Sequence, residues 1–172
     1  MIKDLEKKLS ELGLLYRSNP DYAYILCNND DVGRTIKVKL ICSDQAEESK
    51  YDSRNGNIIQ SIGAFNLSSS EYDADFLIFG LESRAKRRMD FVIIPTNELK
   101  RRLFEGNRIS IASHKISIIF WLMDDRFLYD CTGIGIEGEW YYLSRGADGR
   151  MADGSVLDYS EFLDDWKRLK MI

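Results

Sequence analysis

Near the start of the chain the apolar positions Leu5, Leu9, Leu12 and Leu15 or Tyr16 recur every three to four residues, with Lys and Glu between them. That spacing puts one apolar stripe on a helix and predicts an amphipathic helix over 2–16, closed near Gly13-Leu14 or by Ser18-Asn19-Pro20. The period then changes to two. An aromatic and β-branched run at 22–27 leads into turn chemistry from Asn28 to Gly33, and in 35–42 Ile36, Val38 and Leu40 alternate with Lys37 and Lys39. Successive side chains of a strand point to opposite faces, so the segment reads as a β-hairpin.

Farther on, the polar stretch 43–57 predicts a loop or flap, and 58–67 a strand broken by Ser68-Ser69-Ser70. The unbroken apolar run 76–81 suits a central strand buried on both faces. A basic tip at 83–88 turns the chain, and 91–94 returns as a neighbouring strand. Pro95 ends that strand, Thr96 or Asn97 can cap a helix, and Leu99 and Leu103 form its stripe up to Gly106. Strands follow at 109–111, 116–123, 127–131 and 139–143, with a turn at Asp124-Asp125-Arg126 and a Gly- and Asp-rich loop at 146–154. A last helix over 158–171 would bury Phe162, Leu163, Trp166 and Leu169. With no repeat, low-complexity tract or linker, one α+β domain over 1–172 is expected, a central mixed β-sheet flanked by helices.

Composition narrows the class. A chain of 172 residues can bury a real core, and 44% hydrophobic with 30% charged residues excludes disordered, collagenous and membrane classes. No apolar run approaches the roughly 20 residues of a membrane span, and the opening Met1-Ile2-Lys3-Asp4-Leu5-Glu6 lacks a signal-peptide core. Cys27, Cys42 and Cys131 are odd in number and form no C-x-x-C pair, which argues against a disulfide framework or a zinc ribbon. A reducing, cytoplasmic compartment is the expectation.

The net charge of −4 does not mark a nucleic-acid binder, but its distribution is uneven. Residues 84–108 hold eight basic against three acidic side chains, a net +5, and residues 148–165 hold six acidic against one basic, a net −5. A chain so polarised can hold an acidic polymer on one face, or the two blocks can be plain solvated surfaces.

Candidate chemistry concentrates on Pro20-Asp21 and Lys39. A divalent cation neutralises phosphoryl oxygens and lowers the pKa of an attacking water, and carboxylates anchor it because Mg²⁺ prefers hard oxygen ligands. A nearby lysine orients the water and offsets charge in the transition state. Other chemistries find little footing. His114 is the single histidine, no phosphate-binding glycine motif of either common kind occurs, and the acids from Asp148 to Asp153 miss the alternate spacing of a calcium loop. Trp121, Trp140, Tyr141 and Tyr142 could stack bases, although packing explains them more simply.

On these residues the chain resembles the restriction-endonuclease-like nucleases, the PD-(D/E)XK superfamily. Pro20-Asp21 stands at that family's proline-aspartate and Lys39 at its lysine. Tyr72-Asp73-Ala74-Asp75 before the run 76–79, the step Ile93-Ile94-Pro95-Thr96-Asn97-Glu98-Leu99, and the closing segment with Trp166 and Leu169 are also similar. The chain departs from the pattern at Lys37, where the family carries an acid or Gln. Glu48-Ser49-Lys50 also spells acidic-x-lysine, but in a polar stretch.

The resemblance implies a Mg²⁺-dependent (or Mn²⁺-dependent) DNA endonuclease of restriction-endonuclease-like fold. Asp21 would be the principal metal ligand, Glu11 or Glu6 a second donor from the first helix, and Lys39 the water-positioning group. Lys37, Arg84, Lys86, Arg87, Arg88, Arg101 and Arg102 would contact DNA phosphates. A homodimer is one way to cut both strands. The alternatives are a catalytically inactive nucleic-acid-binding module on the same scaffold, and a protein-interaction module using the acidic C-terminal face.

Overall fold

The computed structural model describes residues 2–18, 23–27, 35–43, 45–47, 59–68, 72–83, 88–105, 115–123, 126–130 and 158–170. The strands expected at 109–111 and 139–143 and the Gly- and Asp-rich loop lie outside them. The elements are α1 (Ile2–Glu11), β1 (Leu15–Ser18), β2 (Ala23–Cys27), β3 (Thr35–Ile41), β4 (Gln45–Glu47), β5 (Ile59–Ser68), β6 (Phe76–Ser83), β7 (Arg88–Pro95), α2 (Thr96–Glu105), β8 (Lys115–Met123) and β9 (Leu128–Asp130). Two 3-10 turns follow, Ser160–Phe162 and Trp166–Leu169.

The first helix is shorter than its apolar spacing predicts. Gly13 adopts φ 69°, its N–H donates to the Ser10 carbonyl at 3.0 Å, and the Leu14 N–H reaches back to the Leu9 carbonyl at 3.0 Å. This pair of bonds, with glycine in the left-handed region, is the Schellman close of a helix. Leu15 and Tyr16, which continue the stripe in sequence, therefore begin β1 instead of a further turn.

The strands form two sheets, where the hydrophobic pattern suggested a single central one. Five strands run β1-β2-β3-β6-β7, antiparallel except for the β3–β6 pair, which is parallel. Four others, β4-β5-β8-β9, make an antiparallel second sheet. Alternation in a sequence reports which face a residue occupies, not which sheet its strand joins. The α+β class holds, with the layers sorted differently.

Between the sheets, Phe65 and Leu67 of β5 and Ile116, Ile118, Phe120 and Leu122 of β8 pack on Leu77, Phe79 and Leu81 of β6 and on Val92 and Ile94 of β7. Phe65, Phe79 and Phe120 meet with ring centroids 4.9 to 5.9 Å apart, two of the three pairs edge-to-face. Such pairs contribute about 0.5–1.5 kcal/mol each beyond the area they bury. Leu99 and Leu103 of α2 belong to the same core. Gly63 sets how closely the layers approach, since a Cβ there would sit 2.5 Å from the Leu81 side chain and 2.6 Å from the Phe65 ring. Ser61 Oγ donates to the Glu82 carbonyl at 2.8 Å, a polar tie from β5 to β6.

The other face of the five-stranded sheet carries Ile36, Val38, Leu40, Phe76, Ile78, Phe91 and Ile93. It is covered by Leu5 and Leu9 of α1 and by Trp166 and Leu169. β6 is thus buried on both sides, as its unbroken apolar run implied. No helix among the described residues is long and apolar enough to cross a membrane.

The closing segment is not the single helix expected over 158–171. Leu163 makes an antiparallel bridge with Val92, and Asp164 exchanges bonds with Phe91, its N–H to the Phe91 carbonyl at 2.7 Å and its Oδ1 accepting the Phe91 N–H at 3.0 Å. The segment runs along the outer edge of β7, putting Phe162 into the core between the sheets and Trp166 into the core under α1. Of the residues expected to be buried, Phe162, Trp166 and Leu169 are and Leu163 is partly so, but they serve two sides of one sheet edge. Pairing the edge also shields its backbone groups.

Two stability outcomes follow from this packing. Gly63→Val should lower stability by about 1–3 kcal/mol through overpacking, read as a fall in the urea midpoint at unchanged slope. Trp166→Ala should cost about 3–5 kcal/mol by the same measurement, the range for deleting a large buried aromatic.

Candidate functional site

The hairpin that carries the candidate lysines is formed by β2 and β3, whose register sets Ala23 opposite Lys39 and Ile25 opposite Lys37. Because Ile36, Val38 and Leu40 face α1, strand alternation turns Lys37 and Lys39 to the opposite face, the one that Leu77, paired with Lys39 across the parallel β3–β6 ladder, also occupies. Lys37 is exposed and Lys39 half-buried.

Asp75, just ahead of β6, ties three elements together. Its N–H donates to the Lys37 carbonyl at 2.9 Å, its Oδ2 accepts the Lys37 N–H at 2.8 Å, and its carbonyl accepts the N–H of Thr96 at the start of α2 at 2.9 Å. The carboxylate therefore extends the β3–β6 ladder by one rung. The sequence places Asp75 next to an apolar run without indicating this contact.

Several expected site residues lie outside the described residues: Asp21, Arg84, Lys86, Arg87 and the Glu48-Ser49-Lys50 triplet. Glu11 is described, and the structure does not bring it to Lys39. α1 packs on the Ile36–Val38–Leu40 face, so Glu11 belongs to the side of the sheet that Lys39 points away from. Its carboxylate, half exposed, lies 3.7 Å from Lys8 Nζ and 4.0 Å from Lys7 Nζ. Glu6 shares that helix and that side of the sheet. Among the described residues no group of three His, Cys, Asp or Glu side chains could hold a metal ion.

The arginines expected on phosphates divide. Arg101 is exposed, and its Nε and Nη2 donate to Glu98 at 2.9 and 2.6 Å. Arg88 is partly exposed, with its Nε on Asp90 at 3.0 Å. Arg102 requires correction. Its side chain is 5% exposed, and it donates to Glu98 at 2.8 Å, to the Asp158 carbonyl at 2.5 Å and to Glu161 at 2.6 Å. The guanidinium also lies 5.0 Å from the Tyr159 ring centroid and 4.8 Å from that of Phe162. A cation so enclosed cannot meet a polymer phosphate; it fastens α2 to the closing segment. The basic and acidic blocks are thus partly each other's partners.

Glu98 accepts from both arginines, and its carboxyl drops from an ordinary 4.5 to about 2. The hydrogen bond from Arg101 leads, partial burial works against it, and Arg102 adds to the fall.

A second polar cluster lies at the outer edge of β7, where Asp90, registered opposite Leu81, is on the face turned to the second sheet. Asp90 is 2% exposed, and Arg126 donates its Nη1 to Asp90 Oδ1 and its Nη2 to Asp164 Oδ2, the latter at 2.6 Å. Partial burial opposes the charge on Arg126, but its hydrogen bonds to Asp90 and Asp164 prevail and its pKa rises. Arg126 (φ 70°) and Asp164 (φ 53°) both hold the left-handed backbone region that side chains disfavour. Such strain persists where the surroundings over-determine it. Nothing in the sequence pointed here, since the partners stand 36 and 38 residues apart.

Comparison with protein-family models, with curated proteins and with solved structures yields no match. A functional reading therefore rests on the chain's own residues.

The Glu98 shift carries a pH dependence. A carboxyl whose folded pKa lies below its unfolded value contributes stability in full above about pH 4.5, and loses it as pH falls toward about 2. Glu98→Gln should therefore flatten the acid limb of stability in that window, measured as denaturation midpoints at stepped pH.

Proposed function

We propose that this chain binds the phosphodiester backbone of DNA, on a scaffold similar to the restriction-endonuclease-like nucleases, through the face of β3 that carries Lys37 and Lys39. The observation that carries this reading is their shared orientation. The two ammonium groups lie on the sheet face away from α1, one exposed and one half-buried, with Glu11 on the other side. Cations at alternate positions of a strand track a polyanion without reading its bases, and such contacts weaken as salt rises. The order of elements supports the scaffold. A helix, a three-strand antiparallel meander and then a strand parallel to the third are formed by α1, β1 to β3 and β6.

A second reading, Mg²⁺-dependent DNA hydrolysis centred on Asp21 and Lys39, is favoured by one feature of the hairpin. Ala23, two residues after Asp21 in sequence, is registered opposite Lys39. The described residues do not furnish the remaining donor. Lys37 occupies the acidic position of the family pattern, Glu11 lies across the sheet, and the carboxylate tied to β3 is that of Asp75, with one oxygen on a backbone N–H. A single carboxylate holds Mg²⁺ weakly, so the catalytic reading depends on a ligand beyond Asp21.

One experiment separates the readings. The protein is incubated with supercoiled and linear DNA, with Mg²⁺, Mn²⁺ or EDTA, and both retention and nicking are scored. Binding that falls steeply between low and physiological salt, is weakened by Lys37→Ala with Lys39→Ala and leaves the DNA intact supports the binding module. Metal-dependent nicking abolished by Asp21→Ala and by Lys39→Ala establishes the nuclease instead. Failure both to retain DNA at low salt and to nick it overturns both.

A further inference from the structure

At the β7 edge of the five-stranded sheet, a groove of about 440 Å³ opens between α1 and the start of β7. Lys7, Lys8 and Glu11 line one wall, Met89 and Trp166 the other, and Arg88, Asp90, Arg126 and Asp164 meet along it. We propose that this groove is a binding site for a small phosphomonoester, whose phosphoryl oxygens sit between the guanidinium groups of Arg88 and Arg126.

The argument turns on which hydrogen-bonding groups are already used. Asp90 gives one oxygen to Arg88 Nε and the other to Arg126 Nη1. Asp164 gives one to the Phe91 N–H and the other to Arg126 Nη2. These two acids are thus engaged as acceptors, and what they hold in place are donors. The other two acids of the lining, Asp4 and Glu11, stand on α1, with Glu11 beside Lys7 and Lys8. Among the described residues Arg88 uses only Nε, which leaves both of its terminal nitrogens. Each terminal nitrogen of Arg126 has a second hydrogen beyond the one given to a carboxylate. Both side chains remain 40% exposed while anchored on one buried carboxylate. Two guanidinium groups fixed side by side, with unused N–H groups open to solvent, suit an oxyanion that accepts several bonds at once.

Three features extend the match. Lys7 and Lys8 add two ammonium groups at the rim, held only loosely by Glu11 at 4.0 and 3.7 Å. Both terminal nitrogens of Arg126 are held by carboxylates and its backbone by the bond to the Met123 carbonyl, so its guanidinium is oriented before any ligand arrives. Less reorganisation is then required on binding. The groove also exceeds the needs of a bare phosphate and lies in the range of small-molecule sites. Met89 and Trp166 provide an apolar surface for the body of the ligand. The site lies at the β7 edge, two strands away from Lys37 and Lys39 on β3, and does not depend on the DNA-binding reading.

The test is titration calorimetry on the full chain with inorganic phosphate, with a nucleoside monophosphate and with sodium chloride at matched ionic strength. The expected result is saturable binding of both phosphate compounds, tighter for the nucleoside monophosphate, and about a tenfold loss of affinity in Arg88→Gln, the effect of one lost charge-assisted contact. Lys8→Gln, at a half-buried helix position, should weaken binding less than Arg88→Gln, and it keeps the test decisive if Arg88→Gln fails to fold. No saturable binding above the chloride control overturns the proposal. So does unchanged affinity in Arg88→Gln, or in Lys8→Gln where that variant alone folds. Equal affinity for inorganic phosphate and the monophosphate overturns the assignment to a phosphomonoester.

Discussion

Coverage of β6 and β7 on both faces is the constraint around which the rest of the molecule is arranged. Leu77, Phe79 and Leu81 look toward the second sheet while Phe76 and Ile78 look toward α1, and Val92 and Ile94 against Phe91 and Ile93 repeat the division one strand over. Neither a helix layer nor a second sheet alone would remove both surfaces from water. The chain uses both, and each apolar face left open would forfeit about 25 cal/mol for every Å² exposed. The parallel β3–β6 step serves this arrangement, because the chain between them contributes β4 and β5 to the second sheet before returning as β6.

Charge finishes what apolar packing begins. Arg102 and Arg126 hold the closing segment through Glu161 and Asp164, and Arg168 braces it internally on Glu161 and Asp165. The desolvation of such ions largely cancels their attraction, so their contribution is less in net free energy than in fixing which partner sits where. Arg102 illustrates this: removed from solvent on three acceptors and two rings, it fixes α2 against Tyr159 and Phe162. The acidic run near the end of the chain is consequently part of the seam between layers and not a free acidic face.

The legible part of the fold was whatever depends on neighbours in sequence. The alternation around Lys37 and Lys39, the doubly buried run of β6 and the helix after Pro95 all stand where local pattern put them. What escaped depends on distant partners. Glu11 fits a metal-ligand pattern only until α1 is docked on a particular face, and the strands from 59 onward alternate identically whether they join one sheet or two. The spacing of Phe162, Trp166 and Leu169 is helical, yet the Leu163–Val92 bridge and the left-handed Asp164 split the segment across an edge. The Asp90–Arg126–Asp164 cluster leaves no local trace, because each member reads as an ordinary surface charge until folding joins them.

The bond from Phe91 N–H to Asp164 connects residues 73 positions apart. On a translating ribosome, β7 is therefore finished well before the stretch that pairs with it has emerged. During that interval the nascent polypeptide displays an uncovered strand edge rich in Val and Ile, the kind of template that recruits other chains. The late-emerging stretch around Leu163 and Asp164 therefore acts as the cap that retires this edge once synthesis is complete.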